Sequence, residues 1–122
     1  MTEFCIDAQK EFTERLFQLQ RAVVESGGTE DLAYDVRLVA SEISGNVFRY
    51  SQKKQVRICF GKDDELAYVR IYGDVTFDDC CTCPSIQKDR GRGMWLIRSL
   101  PRYRGFEKKN GVLTIMLAVV SQ

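Results

Sequence analysis

Two polar side chains one helical turn apart, Glu42 and Asn46, have the types and the spacing that chemistry needs. Beside them runs an apolar stripe at helical spacing, made up of Leu32, Val36, Val39, Ile43 and Val47. A carboxylate and a carboxamide at i and i+4 point the same way on a helix, so Glu42 can act as a general base and Asn46 can offer an oxygen ligand to Mg²⁺. This pairing suits phosphate chemistry. The alternative is an amphipathic helix whose polar edge is merely solvated.

A second segment that could do chemistry covers residues 89–94, where two glycines stand directly before a short apolar run. Gly91 and Gly93 would let backbone N–H groups approach an anion, because no Cβ stands in the way. Arg90 and Arg92 could add charge-assisted hydrogen bonds to phosphate oxygens. The segment therefore predicts a phosphate-binding loop, with a tight turn before a helix as the alternative.

Charge and length exclude several classes of protein. The 122 residues include 18 basic and 17 acidic side chains, so the net charge is +1 and no general field draws the chain to nucleic acid or to an anionic membrane. The length predicts one domain, residues 1–122. Because no stretch approaches the ~20 apolar residues of a membrane span and the first residues lack a signal-peptide pattern, we expect a cytoplasmic protein.

The cysteines are five in number, and three of them are clustered. They are Cys5, Cys59, Cys80, Cys81 and Cys83. Their odd number and close spacing fit neither a disulfide framework nor the Cys-x-x-Cys pairs of a zinc site, so we expect reduced thiols without a metal or redox role. The sequence has no histidine, which excludes Ser-His and Cys-His nucleophile pairs.

Hydrophobic periodicity predicts that two helices come early in the chain. A short strand-like start, residues 3–7, is followed by helical spacing over residues 8–26. Gly27 and the glycine after it end that helix, and Thr29 is a suitable N-cap for the next. This second helix carries Glu42 and Asn46 and runs to about residue 51.

The second half of the chain alternates with period two and predicts a sheet. Residues 56–72 read as an antiparallel hairpin, and a short helix is expected over residues 94–100. Two further strands, residues 103–108 and 111–120, are joined at Asn110-Gly111, a strong hairpin signal. The predicted fold is α+β: a two-layer α/β sandwich with helices on one face of a mixed, mainly antiparallel sheet.

These motifs, in this order, resemble the GHKL ATPase superfamily with its Bergerat ATP-binding fold, and within it the anti-sigma factor serine/threonine kinases. Residues 41–50 resemble the N-box of that family, with Glu42 at the general base, Asn46 at the Mg²⁺ ligand and Arg49 three residues further on. Residues 90–97 resemble the second glycine box, which lies under the ATP phosphates. The resemblance implies a single histidine-kinase-like ATPase domain.

The resemblance also implies which residues bind the nucleotide. They are Asn46, Arg49, Asp74, Arg90, Gly91, Arg92, Gly93, Met94 and Thr114. The sequence departs from the family at the motif whose aspartate accepts a hydrogen bond from the adenine amino group, called the adenine box below. When the family motif is aligned on Phe77 and the residue after it, Tyr72 occupies the position of that aspartate. When the alignment is shifted by two residues, Asp74 occupies it instead.

Two functions follow from the resemblance, and they belong to different classes. The first is a regulatory kinase that uses ATP and Mg²⁺ to phosphorylate a small partner, either an anti-sigma antagonist-like protein or a sigma factor, with a homodimer left open. The second is a degenerate module of the same fold that regulates its partner by binding without catalysis. Tyr72 and Trp95 stand where the family has an aspartate and a small residue, and they favour the second function. Glu42, Asn46 and the glycines of the predicted loop match the family and favour the first.

A third class, nucleic-acid binding, would use the arginines of the last third of the chain. These are Arg90, Arg92, Arg98, Arg102 and Arg104, with Trp95 and Tyr103 interleaved. The net charge of +1 argues against it.

Overall fold

The computed structural model describes residues 3–9, 13–50, 55–72 and 95–120. The elements are, in chain order, strand β1 (Phe4–Gln9), helices α1 (Thr13–Glu25) and α2 (Glu30–Tyr50), and strands β2 (Gln55–Lys62), β3 (Leu66–Tyr72), β4 (Tyr103–Lys109) and β5 (Val112–Ala118). Residues 95–99 are also helical. The predicted α+β class is confirmed.

The five strands form one open sheet in the order β1-β2-β3-β5-β4. Each of the four pairings is antiparallel, so the expected mixture of parallel and antiparallel strands is wrong for the part of the chain that the structure describes. In β3 and β5 every second side chain is buried, as strand geometry requires when only one face is covered. The covered side, against the helices, is called the inner face below, and the opposite side is the outer face.

The core lies between the two helices and the inner face of the sheet. The apolar stripe predicted on α2 is buried along its whole length, with no member more than 3% exposed. From α1 come Leu16, Leu19 and Val23, and the sheet contributes Ile58, Val69, Ile71, Leu113, Ile115 and Leu117. The helical and strand periods of the sequence therefore predict the core correctly.

The start of α1 differs from the prediction, whereas the start of α2 agrees with it. The predicted helix start at residue 8 is wrong, because Ala8 pairs with Val56 and extends β1, and α1 begins only at Thr13. Before α2, the Thr29 hydroxyl oxygen accepts a hydrogen bond from the N–H of Leu32 at 3.1 Å. Thr29 is therefore the N-cap that the sequence predicts.

The hairpin between β4 and β5 turns at Asn110 and Gly111. Both residues have positive φ, 54° and 77°. Asn and Gly adopt this left-handed conformation more readily than other residues, and a two-residue turn of this kind matches the twist of the paired strands. The structure confirms the predicted turn.

Gly28, between the two helices, generates a prediction about stability. A Cβ at this position would lie 2.9 Å from both Cγ1 and the carbonyl oxygen of Val23 and 3.3 Å from Leu32 Cδ2. We expect Gly28→Ala to lower the free energy of unfolding by about 1–3 kcal/mol, because buried groups on both helices must move. Urea denaturation measures the change.

The matched control is Gly45→Ala in α2, where a Cβ would meet nothing within 4 Å. Alanine is the better helix former, so this variant should be unchanged or up to about 1 kcal/mol more stable. Equal destabilisation by the two substitutions would contradict the steric argument.

Candidate functional site

Helix α2 places Glu42 at the border between the core and the solvent. The neighbouring Ile43 is 1% exposed and packs in the core, whereas Glu42, turned by ~100° around the helix, is half-buried. A carboxylate in this position keeps access to a reactant while one side of it is screened from water. The placement fits the general base expected from the sequence, and it equally fits a polar residue at a helix edge.

The α2 helix continues through the two other residues of the predicted N-box site. Its bounds include Asn46 and Arg49, so the helical spacing from Glu42 on which the prediction depends is present in the backbone. The side chains of both residues lie outside what the structure describes. Their predicted roles, including Mg²⁺ ligation by Asn46, stay predictions.

A buried ion pair holds the chain after the short helix, residues 95–99, against the flank of α2 that carries Glu42. Arg102 Nη1 lies 3.3 Å from Asp35 Oδ2, and Arg102 Nη2 lies 3.9 Å from Asp31 Oδ2. The side chains of Arg102 and Asp35 are only 13% and 9% exposed, whereas Asp31 is 85% exposed. The Arg102–Asp35 contact is therefore the desolvated one. Asp35 lies about two turns before Glu42, roughly 10 Å along the axis and on the same flank of the helix.

The pKa of Asp35 shows which effect dominates at this ion pair. Burial raises the pKa above its ordinary value of 3.8, and the hydrogen bond and positive charge of Arg102 oppose that rise without cancelling it. The negative charge of Asp31 adds to the rise, so burial and Asp31 together outweigh the attraction of the carboxylate to the guanidinium. The pairing of Asp35 with Arg102, which had been considered only for nucleic-acid binding, was not predicted from the sequence. A signal was present, because Asp31, Asp35 and Glu42 share one flank of the helical wheel.

The arginines considered for nucleic-acid binding make contacts within the chain wherever the structure describes them. Arg102 pairs with Asp35, and Arg104 Nη1 donates to the carbonyl oxygens of Pro101 and Tyr103. The guanidinium of Arg98 lies 5.6 Å from the centre of the Phe106 ring. These contacts use the positive charges internally and give no support to a phosphate-binding surface.

Thr114, expected at the nucleotide, lies on the outer face of the sheet. It pairs with Arg70 of β3, and its neighbours Leu113 and Ile115 are fully buried on the inner face. The structure therefore does not bring Thr114 together with Glu42, which lies on the helix side. Tyr72, the residue aligned with the adenine-reading aspartate, ends β3 on the same outer face and is 38% exposed.

Six further site residues predicted from the sequence lie outside the described residues. They are Asp74, Arg90, Gly91, Arg92, Gly93 and Met94. Their roles in phosphate and adenine binding stay predictions. Of the predicted site, only Glu42 and Thr114 have described side chains, and the two lie on opposite sides of the sheet.

The expectation of five reduced cysteines is wrong for one pair. Cys5 and Cys59 are joined by a disulfide between β1 and β2. They lie 54 residues apart in sequence, but the antiparallel register sets them directly opposite each other. With Glu3, their potential ligand atoms lie within 4.8 Å of one another, yet a disulfide offers no thiolate to a metal.

A shallow groove of about 700 Å³ runs along the solvent side of the helix pair. Its apolar lining includes Phe17, Val24 and Tyr34, which are 48%, 41% and 51% exposed. The Arg37 guanidinium lies 5.0 Å from the centre of the Phe17 ring and 5.3 Å from that of Tyr34. Exposed aromatic rings beside an arginine are common at protein interfaces.

Comparison of the chain with protein-family models and with curated proteins finds no match. Membership of the GHKL superfamily thus stays a resemblance. Among the described residues, no helix is both long and apolar enough to cross a membrane.

The Arg102–Asp35 ion pair leads to a pH-dependent prediction. Arg102→Met should lower the free energy of unfolding by about 2–3 kcal/mol at pH 7, because it leaves a buried carboxylate without its partner. A carboxyl group whose pKa is raised by folding stabilises the fold below its unfolded pKa, here 3.8, and loses that contribution as pH rises through the folded pKa. The cost of Arg102→Met should therefore be smaller near pH 4 than at pH 7.

The control uses Asp35→Asn, which removes the titrating group. In that background the cost of Arg102→Met should be the same at both pH values in urea denaturation. A pH-dependent cost that persists in the Asp35→Asn background would show that another carboxyl group is responsible.

Proposed function

We propose that this chain is a regulatory ATP-binding protein of the Bergerat type, a serine/threonine kinase that modifies a small partner protein. In this proposal Glu42 accepts the proton of the partner's hydroxyl and Asn46 ligates Mg²⁺. Bound ATP would supply the phosphoryl group, and Mg²⁺ would offset its charge. The partner class is an anti-sigma antagonist-like protein or a sigma factor.

The observation that carries the proposal is the half-buried position of Glu42 on the flank of a continuous helix that also contains Asn46. A general base needs both access to its substrate and partial exclusion from water, and the edge of the core supplies both. The predicted glycine loop belongs to residues 73–94, which in the sequence separate β3 from the short helix.

The second candidate function is a module of the same fold that binds its partner without catalysis. Two observations favour it. Thr114 and Tyr72 lie on the outer face, so neither side chain can serve a nucleotide held beside Glu42. The aromatic groove on the helix pair also offers an area for contact with another protein.

Titration with ATP, with and without Mg²⁺, tests the leading proposal. Asn46→Ala should lower Mg²⁺-dependent ATP affinity by at least about tenfold, because it removes a ground-state ligand. Glu42→Gln should leave ATP affinity within about twofold but stop phosphoryl transfer to a serine of the partner, since a base acts only in the reaction. Calorimetry measures the binding, and transfer of labelled phosphate from ATP measures the reaction.

The matched control is Thr114→Val, which changes a polar residue on the outer face. It should leave ATP affinity unchanged. Full transfer activity in Glu42→Gln would contradict the assignment of the base, and absence of ATP binding by the parent protein would favour the second candidate.

Comparing the affinities of ATP and GTP gives a separate test of which residue, Tyr72 or Asp74, occupies the position of the adenine-binding aspartate. If Tyr72 replaces the adenine-reading aspartate, the site lacks a hydrogen-bond acceptor worth about tenfold to a hundredfold in affinity, and ATP and GTP should bind equally and weakly. If Asp74 takes the aspartate's role, ATP should bind at least about tenfold more tightly than GTP, and Asp74→Asn should remove that preference. We expect the first result, because Val75 and Thr76 restrict the backbone where the family has glycines.

A further inference from the structure

The Cys5–Cys59 disulfide joins the first strand of the sheet order, β1, to β2. Among the described strands β1 pairs only with β2, so it is an edge strand there, and the two cysteines face each other in that ladder with Cα atoms 4.0 Å apart. Both side chains lie on the outer face, since Ile6 and Ile58 beside them are buried on the inner face. Cys5 is half-buried and Cys59 is 2% exposed. Cys5 is therefore the more accessible residue of the pair.

A charged pair lies next to the two sulfurs. Glu3 Oε2 accepts a hydrogen bond from Arg70 Nη1 at 2.6 Å, and Glu3 Oε1 lies 3.8 Å from Cys5 Sγ. On the other side of Cys59, Arg70 is its direct partner in the β2–β3 ladder, so the two side chains are neighbours on the outer face. The Arg70 side chain is 29% exposed. Cys59 thus has a disulfide partner on one side and a partly desolvated cation on the other.

We propose that the Cys5–Cys59 disulfide is a thiol–disulfide exchange site, at which a dithiol reduces the folded protein and releases edge strand β1 from its covalent link to β2. The incoming thiolate attacks Sγ of Cys5, the more accessible residue of the pair. Cys59 leaves as a thiolate beside Arg70, whose positive charge favours that anion. This site is independent of the proposed kinase activity.

The exchange balances in two steps. In the first, a bond forms between the reductant sulfur and Cys5 Sγ, the bond between Cys5 and Cys59 breaks, and its electron pair passes to Cys59, which then takes a proton from water. In the second, the other thiolate of the reductant attacks its own sulfur in the mixed disulfide and Cys5 leaves and is protonated. The protein gains two electrons and two protons, and the dithiol becomes a cyclic disulfide. The Cys5 thiol can then donate to Glu3 Oε1.

Reduction leaves β1 held by weaker interactions. These are its hydrogen bonds to β2, the buried Ile6 side chain, the Glu3–Arg70 ion pair and an exposed contact of 3.9 Å between Asp7 and Arg57. The disulfide closes a loop of 54 residues that contains both helices. Opening such a loop lowers the folding equilibrium constant by about a thousandfold in the chain-entropy account.

The test uses the oxidised full chain with Cys80, Cys81 and Cys83 replaced by serine, so that only the proposed pair reacts. Dithiothreitol is added without denaturant, free thiols are trapped with iodoacetamide, and mass spectrometry follows the reduction. We expect a rate proportional to the dithiothreitol concentration and unchanged by urea below the unfolding transition. With glutathione in place of dithiothreitol, the mixed disulfide should map to Cys5.

Three substitutions separate the role of the Arg70 charge from loss of the ion pair. Arg70→Met should slow the reduction by about tenfold and Arg70→Lys should restore most of the rate, because the charge is what favours the leaving thiolate. Glu3→Gln breaks the same ion pair but removes a negative charge beside the attacked sulfur, so reduction should be at least as fast as in the parent. Equal slowing by Arg70→Met and Glu3→Gln would overturn the assignment.

Hydrogen exchange tests the release of the strand. Amides of β1 should exchange at least about tenfold faster after reduction, and in the reduced protein they should be less protected than those of β5, which exchange only when the whole chain unfolds. The proposal is overturned by unchanged exchange in β1, by a glutathione adduct on Cys59, or by a reduction rate that saturates with dithiothreitol and rises with urea. The last result would mean that the disulfide opens only when the whole chain unfolds.

Discussion

The burial of one face of α2 against the inner face of the sheet determines where the remaining groups can lie. Five large apolar side chains of this helix are almost completely buried, which contributes about 10 kcal/mol before the entropy of ordering is counted. Because a helix turns by ~100° per residue, fixing this stripe also fixes the direction of its flank. Asp35 and Glu42 therefore lie at the same border between core and solvent. On the sheet, the same packing decides which strand residues face the helices and which face away.

The ion pair between Arg102 and Asp35 contributes more to the arrangement of the chain than to its stability. The raised pKa of Asp35 means that the carboxylate is less stable here than in water, even with the guanidinium beside it. A fold can retain such a pair because it permits few alternative positions. Here it holds the segment after the short helix against α2, about two helical turns before Glu42. A buried ion pair so placed fixes the position of the chain that follows the predicted glycine loop.

Local signals in the sequence predicted most of the fold. The helical stripe of α2, the Thr29 cap and the Asn110-Gly111 turn each depend on residues close together in the chain, and each is present in the structure. The errors concern pairing between distant residues. The Cys5–Cys59 disulfide depends on the β1–β2 register, which joins residues 54 positions apart in the sequence.

The same difference between local signals and long-range pairing explains which parts of the candidate site could be predicted from the sequence. The half-buried position of Glu42 follows from the helical period, whereas the outward direction of Thr114 depends on the register of β5 with β3. A strand residue changes face when the register shifts by one, so its side cannot be read from a short motif. The boundary of α1 has a similar origin, because pairing of Ala8 with Val56 overrides the helical spacing of the sequence.

The far edge of the sheet has a consequence for solubility. Within the described part of the chain β4 pairs with β5 on one side only, and its ladder with β5 is irregular between Tyr103 and Gly105. Its last three residues, Glu107, Lys108 and Lys109, are exposed and charged. An edge that is bent and charged is a poor template for a strand from another molecule, because the incoming backbone cannot lie flat and must desolvate those charges. This edge therefore protects the chain against aggregation by strand addition.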